Sequence, residues 1–424
     1  MPVHYANSHA RRGAGLDSPE TFHVLPMPIQ LRASVAFVLV TLGLDALGVG
    51  LIAPIVPGLV EHLGHLPPER AAPWVGALIA AYAAMQFFAA PLLGELSDRF
   101  GRRPVILLSV FGLGCDYVLL AFAPSLWWLF LGRLVAGATS ANVAAATAYI
   151  ADVSTREDRP RLYGLVGATF GAGFVVGPAL GGFVSHWGLR VPFAIAATLS
   201  LLNVCFGLFV LPESLDVTNR RPLTWRRANP FTQLARVMQD PALRHLAIAW
   251  SCTWVGLGAV QSSLVLFTGY RFGWGAQLNG LVLAAVGLSQ AVVEGVLLRH
   301  VTGRFGERRT AVFGYVAGAA GYGVLALAVA GWTILPAVVL VALGGLATPS
   351  VRAMVAGRAG ADAQGEMQGL LSAVEGLTAV AAPLATAGLF FAFTAKSLPF
   401  AFPGAPFALA AGAAVLASML VRRD

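Results

Sequence analysis

Asp45, Asp116, Arg133, Glu294 and Glu375 stand inside long apolar runs. A charge at the centre of a membrane helix costs about 2.5–3.5 kcal/mol on insertion scales, so each is a functional candidate. A carboxylate there can exchange a proton or hold a cation, and an arginine can fix a neighbouring acid. At ~1.5 Å rise per residue, Asp116 and Arg133 fall at similar depths in consecutive runs and can pair. A purely structural ion pair is the plainer account of that couple. Spacing adds polar company. Thr41, Asp45 and Gly48 share one helical face, as do Gly287, Gln290 and Glu294, and Gln368, Ser372 and Glu375. Such stripes suit the wall of a water-filled central cavity. Glu294 has a competing role, snorkelling toward the membrane surface beside Arg299. No His lies deep in a run, and the sequence offers no metal-ligand cluster, nucleophile–base constellation or phosphate loop. Neither an enzyme nor a resident metal or cofactor is expected.

Residues 94–104 read Gly-Glu-Leu-Ser-Asp-Arg-Phe-Gly-Arg-Arg-Pro between two apolar runs, and Gly303-Arg-Phe-Gly-Glu-Arg-Arg309 is a weaker copy. Arg99 and Arg304 are 205 positions apart in 424, the mark of two related halves. Asp98 and the cluster Arg99, Arg102 and Arg103 are expected to latch one conformation, with Asp152 as a further partner. A plain basic loop would need neither Gly94, Gly101 nor the acid. The fifth run carries Gly173-x-x-x-Gly177-Pro178-x-x-Gly181-Gly182, with Gly167 and Gly171 upstream. Small residues four apart build a groove for a partner helix, and Pro178 is expected to kink its own helix.

These residues need elements that cross a membrane. The chain is 57% hydrophobic and 11% charged, against roughly 25% charged in a soluble protein. Runs of about 20 residues span a ~30 Å hydrocarbon layer. They predict helices at 34–59, 74–93, 105–123, 127–150, 164–186, 192–211, 243–267, 278–300, 311–330, 333–354, 367–393 and 405–421. The fold class is therefore all-α, with twelve transmembrane helices in two six-helix bundles. A tail at 1–33 precedes the first bundle, 34–211. A basic, proline-punctuated linker at 212–242 joins it to the second, 243–424. Met27 is an alternative start.

If both termini are cytoplasmic, twenty-three of the 28 Lys and Arg fall on the cytoplasmic side. Arg70, Arg190, Arg271 and Lys396 fall on the other, with Arg133 inside a helix. That asymmetry predicts the orientation and makes the net charge of +8 a matter of topology and lipid contact, not of nucleic acid. Trp127, Trp128, Trp187, Trp274 and Trp332 sit at the outer ends as an aromatic belt would. Cys115, Cys205 and Cys252 are read as buried free thiols.

At this point the chain resembles the tetracycline–proton antiporters in the drug-efflux branch of the major facilitator superfamily. The likeness runs from about 38 to 380. It rests on Leu44-Asp45-Ala46-Leu47-Gly48-Val49-Gly50-Leu51-Ile52-Ala53-Pro54, Gln86-Phe87, the 94–104 loop, Asp116-Tyr117, Gly132 to Gly137, Ala148 to Asp152, the fifth-run motif, Leu211-Pro212-Glu213-Ser214 and Gly306 to Arg309. The resemblance implies substrate-cation and proton handling at Asp45 and Asp116, coupling support at Arg133, and gating by the loop. It implies a proton gradient as energy source and a substrate carried as a divalent cation–drug complex. There are departures. The ninth-run acid of the family aligns with Gly318, and an eighth-run His with Gln290. Glu294 and Glu375 are acids the commonest members lack there.

The expected function is proton-coupled export of a small amphipathic drug, tetracycline first, across a bacterial inner membrane. Lipid, proton and a small molecule are the partners, with no nucleic acid, and a monomer suffices. An exporter of other compounds and a nutrient symporter stay open, although the fifth-run motif speaks against import. A membrane sensor or scaffold would want an added soluble domain.

Overall fold

Lipid leaves a chain of this composition one way to satisfy its backbone, the helix, and among the described residues all regular structure is helical. The computed structural model describes residues 29–140, 142–223, 241–358, 364–395 and 400–423. The tail up to residue 28 with Met27, the linker from 224 to 240, and Lys396 lie outside them. The first half comprises α1 (Ile29–Ile52), α2 (Val56–Gly64), α3 (Pro68–Phe100), α4 (Arg102–Ala121), α5 (Leu126–Ala138), α6 (Asn142–Val153), α7 (Arg159–Val184) and α8 (Val191–Val210). The second comprises α9 (Pro241–Phe272), α10 (Ala276–Val292), α11 (Leu298–Ala326), α12 (Ile334–Gly344), α13 (Ala347–Gly357), α14 (Gln364–Thr394) and α15 (Ala405–Arg423).

Among the described residues eleven stretches are long and apolar enough to cross a membrane, and one of them, Ala276–Ala326, has 51 residues. At ~1.5 Å per residue it is more than twice the thickness of a bilayer core, so it must turn back. It does so at Gly306, where φ is 76°. Twelve spans result. Gly101, with φ 113°, makes the matching turn between α3 and α4. Such φ values favour glycine because they bring a Cβ against the backbone. The half-length repeat extends to side chains. Arg99 lies over the Phe100 ring at 5.1 Å, and Arg304 over Phe305 at 5.7 Å.

Three expected spans are not single helices. The run 34–59 breaks after Ile52, because Pro54 cannot continue a helix; Pro57 then opens α2, where its missing N–H costs nothing. The run 127–150 is divided near Thr139, whose hydroxyl bonds back to the carbonyls of Val135 at 3.0 Å and Ala136 at 3.3 Å. The run 333–354 turns between α12 and α13 at Gly345 and Leu346. By contrast α7 runs on through Pro178.

The halves meet along α3 with α14 and α7 with α10. At the end remote from the arginine loops they share one apolar core. Ile55, Leu59, Val75 and Phe193 of the first half join Phe267, Leu325, Ile334 and Phe407 of the second. At the arginine-rich end each half keeps its own core. Val38, Ile106, Tyr149 and Leu211 form one, and Trp250, Val351, Leu371 and Val421 the other. Outside these cores, Trp127, Trp128, Trp187 and Trp332 are exposed, while Trp274 is half-buried. The expectation of three buried thiols needs correction. Cys252 is buried and Cys115 partly so, but Cys205 is exposed beside Phe206 and Phe209 on the outward face of α8.

Candidate functional site

Asp116, on α4, is wholly buried, and Arg133 on α5 reaches it. Arg133 Nη2 pairs with Asp116 Oδ2, and Arg133 Nε donates to Oδ1 at 3.3 Å. Gly132 makes room, since a Cβ there would stand 2.5 Å from Asp116 Oδ1. The guanidinium also lies 5.8 Å from the Tyr82 ring centre. Tyr82 shares a 2.9 Å hydrogen bond with Ser140, and Gln86 Nε2 donates to the same Ser140 Oγ at 2.9 Å. Tyr82 and Tyr117 both lie within electrostatic reach of Asp45. Asp45 is buried, at 8% exposure. Gln86, Ser140, Tyr82, Arg133 and Asp116 thus form one connected cluster, with Asp45 nearby.

The stripe through Asp45 does not wall a cavity as its spacing suggested. Thr41 faces α8 and accepts from Asn203 Nδ2 at 3.0 Å. Gly48 faces α4, where a Cβ would stand 2.5 Å from the Tyr117 hydroxyl. That buried hydroxyl has no hydrogen-bond partner among the described residues.

In the second half, Gln290 Nε2 donates to Glu294 Oε1 at 3.1 Å, at the start of a π-helical turn, Val293–Leu297. Single π turns recur at functional sites because the extra residue re-aims side chains. Gly280 and Gly287 of the same helix abut Pro178 and Phe174 of α7. Glu294 continues that i, i+7 row past the last contact, toward the end where the cores part. Glu375, half-buried on α14, lies within electrostatic reach of Arg352. Arg352 sits 5.3 Å over the Trp250 ring, which neighbours Trp254 at 6.5 Å. The two glutamates therefore occupy different settings. Gly318 is a packing position: a Cβ there would stand 3.4 Å from Gly344 Cα, in van der Waals contact with the neighbouring helix.

Around the 94–104 loop, Arg102 pairs with Asp98 across the Gly101 turn and donates from Nε to Asp152 Oδ2 at 3.2 Å. Arg103 Nη2 donates to the Leu208 carbonyl at 2.6 Å. Arg99 stacks on Phe100 instead. A Cβ on Gly94 would meet nothing within 4 Å, and the residue borders a cavity of about 310 Å³ with Asp98 and Arg102. Glu213 ties the assembly down. Its carboxylate accepts from the backbone N–H of Arg102 at 2.7 Å, Arg103 at 3.3 Å, Ser214 at 3.0 Å and Leu215 at 3.1 Å. A negative charge at the first turn of α4 also suits the helix dipole.

Gly173, Gly177 and Gly181 face α1, where a Cβ on Gly177 would stand 2.6 Å from the Leu47 carbonyl. Gly182 faces α10, and the Pro178 ring lies against Gly50. Gly167 and Gly171 take no part in the groove, since both look into open space.

Residue patterns missed Glu213 as a cap, along with Tyr82, Tyr117, Ser140, Arg352 and Trp250. A lone acid before a basic linker was the available signal for Glu213. The aromatic and hydroxyl partners carry no spacing signature.

Residues 38–383 match the family model of the Major Facilitator Superfamily. The class C tetracycline resistance protein of Escherichia coli is 40% identical over 84% of this chain and 89% of its own length. The class G tetracycline resistance protein of Vibrio anguillarum is 39% identical over 85% and 91%. Among solved structures, the human organic anion transporter MFSD10 superposes with a TM-score of 0.68 at 24% identity, covering 93% of this chain and all of its own. That last likeness concerns the fold.

Proposed function

The chain belongs to the major facilitator superfamily, and from that premise we propose that it exports tetracycline in exchange for protons by alternating access. It is a multi-pass membrane transporter and not an enzyme. One observation carries the transport reading: the halves share a core at one end and keep separate cores at the other. A pathway between rocking halves is open on one side at a time. The arginine-rich end is cytoplasmic in this proposal, by the same charge asymmetry that orients membrane helices. The state described here then faces the cytoplasm, ready to load drug, in a bacterial inner membrane.

The two tetracycline resistance relatives support the substrate. A chelated drug arrives as a cation complex, and acids suit it. Asp45 and Asp116, with Arg133 and Gln86, are proposed to handle the cation and proton in the first half. Glu294 with Gln290, or Glu375 beside Arg352, would replace the acid absent at Gly318. Each proton returning down the membrane potential supplies about 2.3 kcal/mol per 100 mV. Asp98, Arg99, Arg102, Arg103 and Asp152 would latch the gate. A monomer suffices, since both halves lie in one chain.

The test is tetracycline uptake into everted vesicles and resistance in an efflux-deficient strain, each with and without a protonophore. The expected result is uptake abolished by the protonophore, and reduced by Glu294→Gln or Glu375→Gln. Resistance to unrelated amphipaths without resistance to tetracycline would remove the substrate and leave the exporter. Full uptake in both glutamine variants would remove the second-half acids from the mechanism.

A further inference from the structure

The repeat treats its arginines differently in the two halves. In the first, Arg102 has two carboxylate partners, Arg103 a backbone carbonyl, and Glu213 covers the turn. In the second, Arg308 Nε donates to the Val421 carbonyl at 3.2 Å. No carboxylate among the described residues pairs with Arg308, Arg309 or Arg422. Those three arginines line a cavity of about 530 Å³ with Val312, Phe313 and Val316. The volume lies within the ~300–1,000 Å³ of small-ligand sites.

The cavity opens away from the protein. On α11, Thr310, Gly314, Ala317 and Gly321 are buried, and Gly314 and Gly321 abut Ala347 and Val341. Arg309, Phe313 and Val316 stand on the other face at i, i+4 and i+7, with Phe313 and Val316 about half exposed. The site therefore has a cationic rim at the level where the helices end and an apolar wall running into the span. That polarity, cation above and hydrocarbon below, is the shape of a phospholipid. Basic pockets between helices at a membrane surface hold anionic headgroups.

We propose that the groove between α11 and α15 binds one anionic phospholipid, with its phosphate on Arg308, Arg309 and Arg422 and an acyl chain along Phe313 and Val316. The bound anion neutralises the second-half loop, as carboxylates do in the first.

The experiment is native mass spectrometry of the full chain from nanodiscs containing phosphatidylglycerol and phosphatidylcholine. The wild type is expected to retain phosphatidylglycerol selectively. Each arginine near a membrane surface contributes about 1 kcal/mol, so retention should fall about fivefold for each one removed in Arg308→Gln/Arg422→Gln. Arg156→Gln/Arg161→Gln removes equal charge elsewhere at the same end and should change nothing. Arg308→Lys/Arg422→Lys preserves charge and insertion and should keep the lipid. Phe313→Ser should weaken phosphatidylglycerol retention without altering the response to millimolar inorganic phosphate. The proposal is overturned if the glutamine pair retains phosphatidylglycerol like the wild type, if phosphatidylcholine is held equally, or if inorganic phosphate displaces the lipid and Phe313→Ser has no effect.

Discussion

Asp116 is a fully buried carboxylate, and its partner across the helix pair is a single guanidinium. Removing one member of a buried pair strands the other charge, at about 3–5 kcal/mol. Asp116→Asn should therefore cost stability as well as export, and the two must be separated. In Asp116→Asn/Arg133→Gln both charges are gone. We expect thermal stability in detergent to recover toward wild type while tetracycline uptake stays at least about tenfold down, a loss worth ~1.4 kcal/mol or more in the barrier. Recovery of uptake in the double variant would make the pair structural. Helix rise was enough to match Asp116 with Arg133 in depth. The stripe through Thr41, Asp45 and Gly48 misled, because a period of 3.6 identifies a shared face and not what the face meets. Asn203 and Tyr117 decide that, and they lie on other helices. Glu213 shows the same limit, since its four N–H donors come from two segments more than a hundred residues apart. Losing a side-chain cap costs about 0.5–2 kcal/mol. Glu213→Ala should slow turnover in vesicles with little change in apparent substrate affinity, because it frees the loop and not the central site. An affinity loss with normal turnover would argue against it.

At the scale of elements, apolar run length located all twelve spans, and proline, glycine and one threonine decided where runs break. The breaks at Pro54 and Gly345 were present in the sequence as residue types. Hydropathy is blind to them because a broken span is as apolar as a whole one. Glycines posed the opposite problem. The seven glycines of α7 look alike in sequence, yet Gly177 sits against the Leu47 carbonyl and Gly171 faces open space. One substitution at two positions of one helix separates packing from propensity. Alanine favours a helix over glycine by up to about 1 kcal/mol at either place. At Gly177 the added methyl must push α1 away, and overpacking costs typically ~1–3 kcal/mol. Gly177→Ala should lower the melting temperature and export together, while Gly171→Ala leaves both unchanged or slightly raised. Equal effects would mean that the α1–α7 seam is not the close contact described here.

For the whole molecule, what matters is which seam yields. The halves are held by one shared core, and by α7 against α10 at Gly280, whose face abuts the Pro178 carbonyl and Gly182. No sequence period reveals that seam, because its two faces, at Pro178–Gly182 and at Gly280, lie about a hundred residues apart in the chain. A transporter needs the two states close in free energy, and a ligand or mutation moves their balance by its differential effect on them. Gly280→Val places a branched side chain where backbone approaches backbone in this state. It has little to strike once the halves separate at that end. We expect it to shift the population toward the alternative state, raising labelling of a cysteine at Val282, buried here in the shared core, by an impermeant thiol reagent from the remote side. Labelling of a cysteine at exposed Ser372 from the arginine-rich side should fall in parallel. Uptake should drop while the protein remains folded, because a pump held in one state cannot cycle. If Gly280→Val lowers uptake but changes neither labelling, the α7–α10 seam supports the fold without governing the exchange between states.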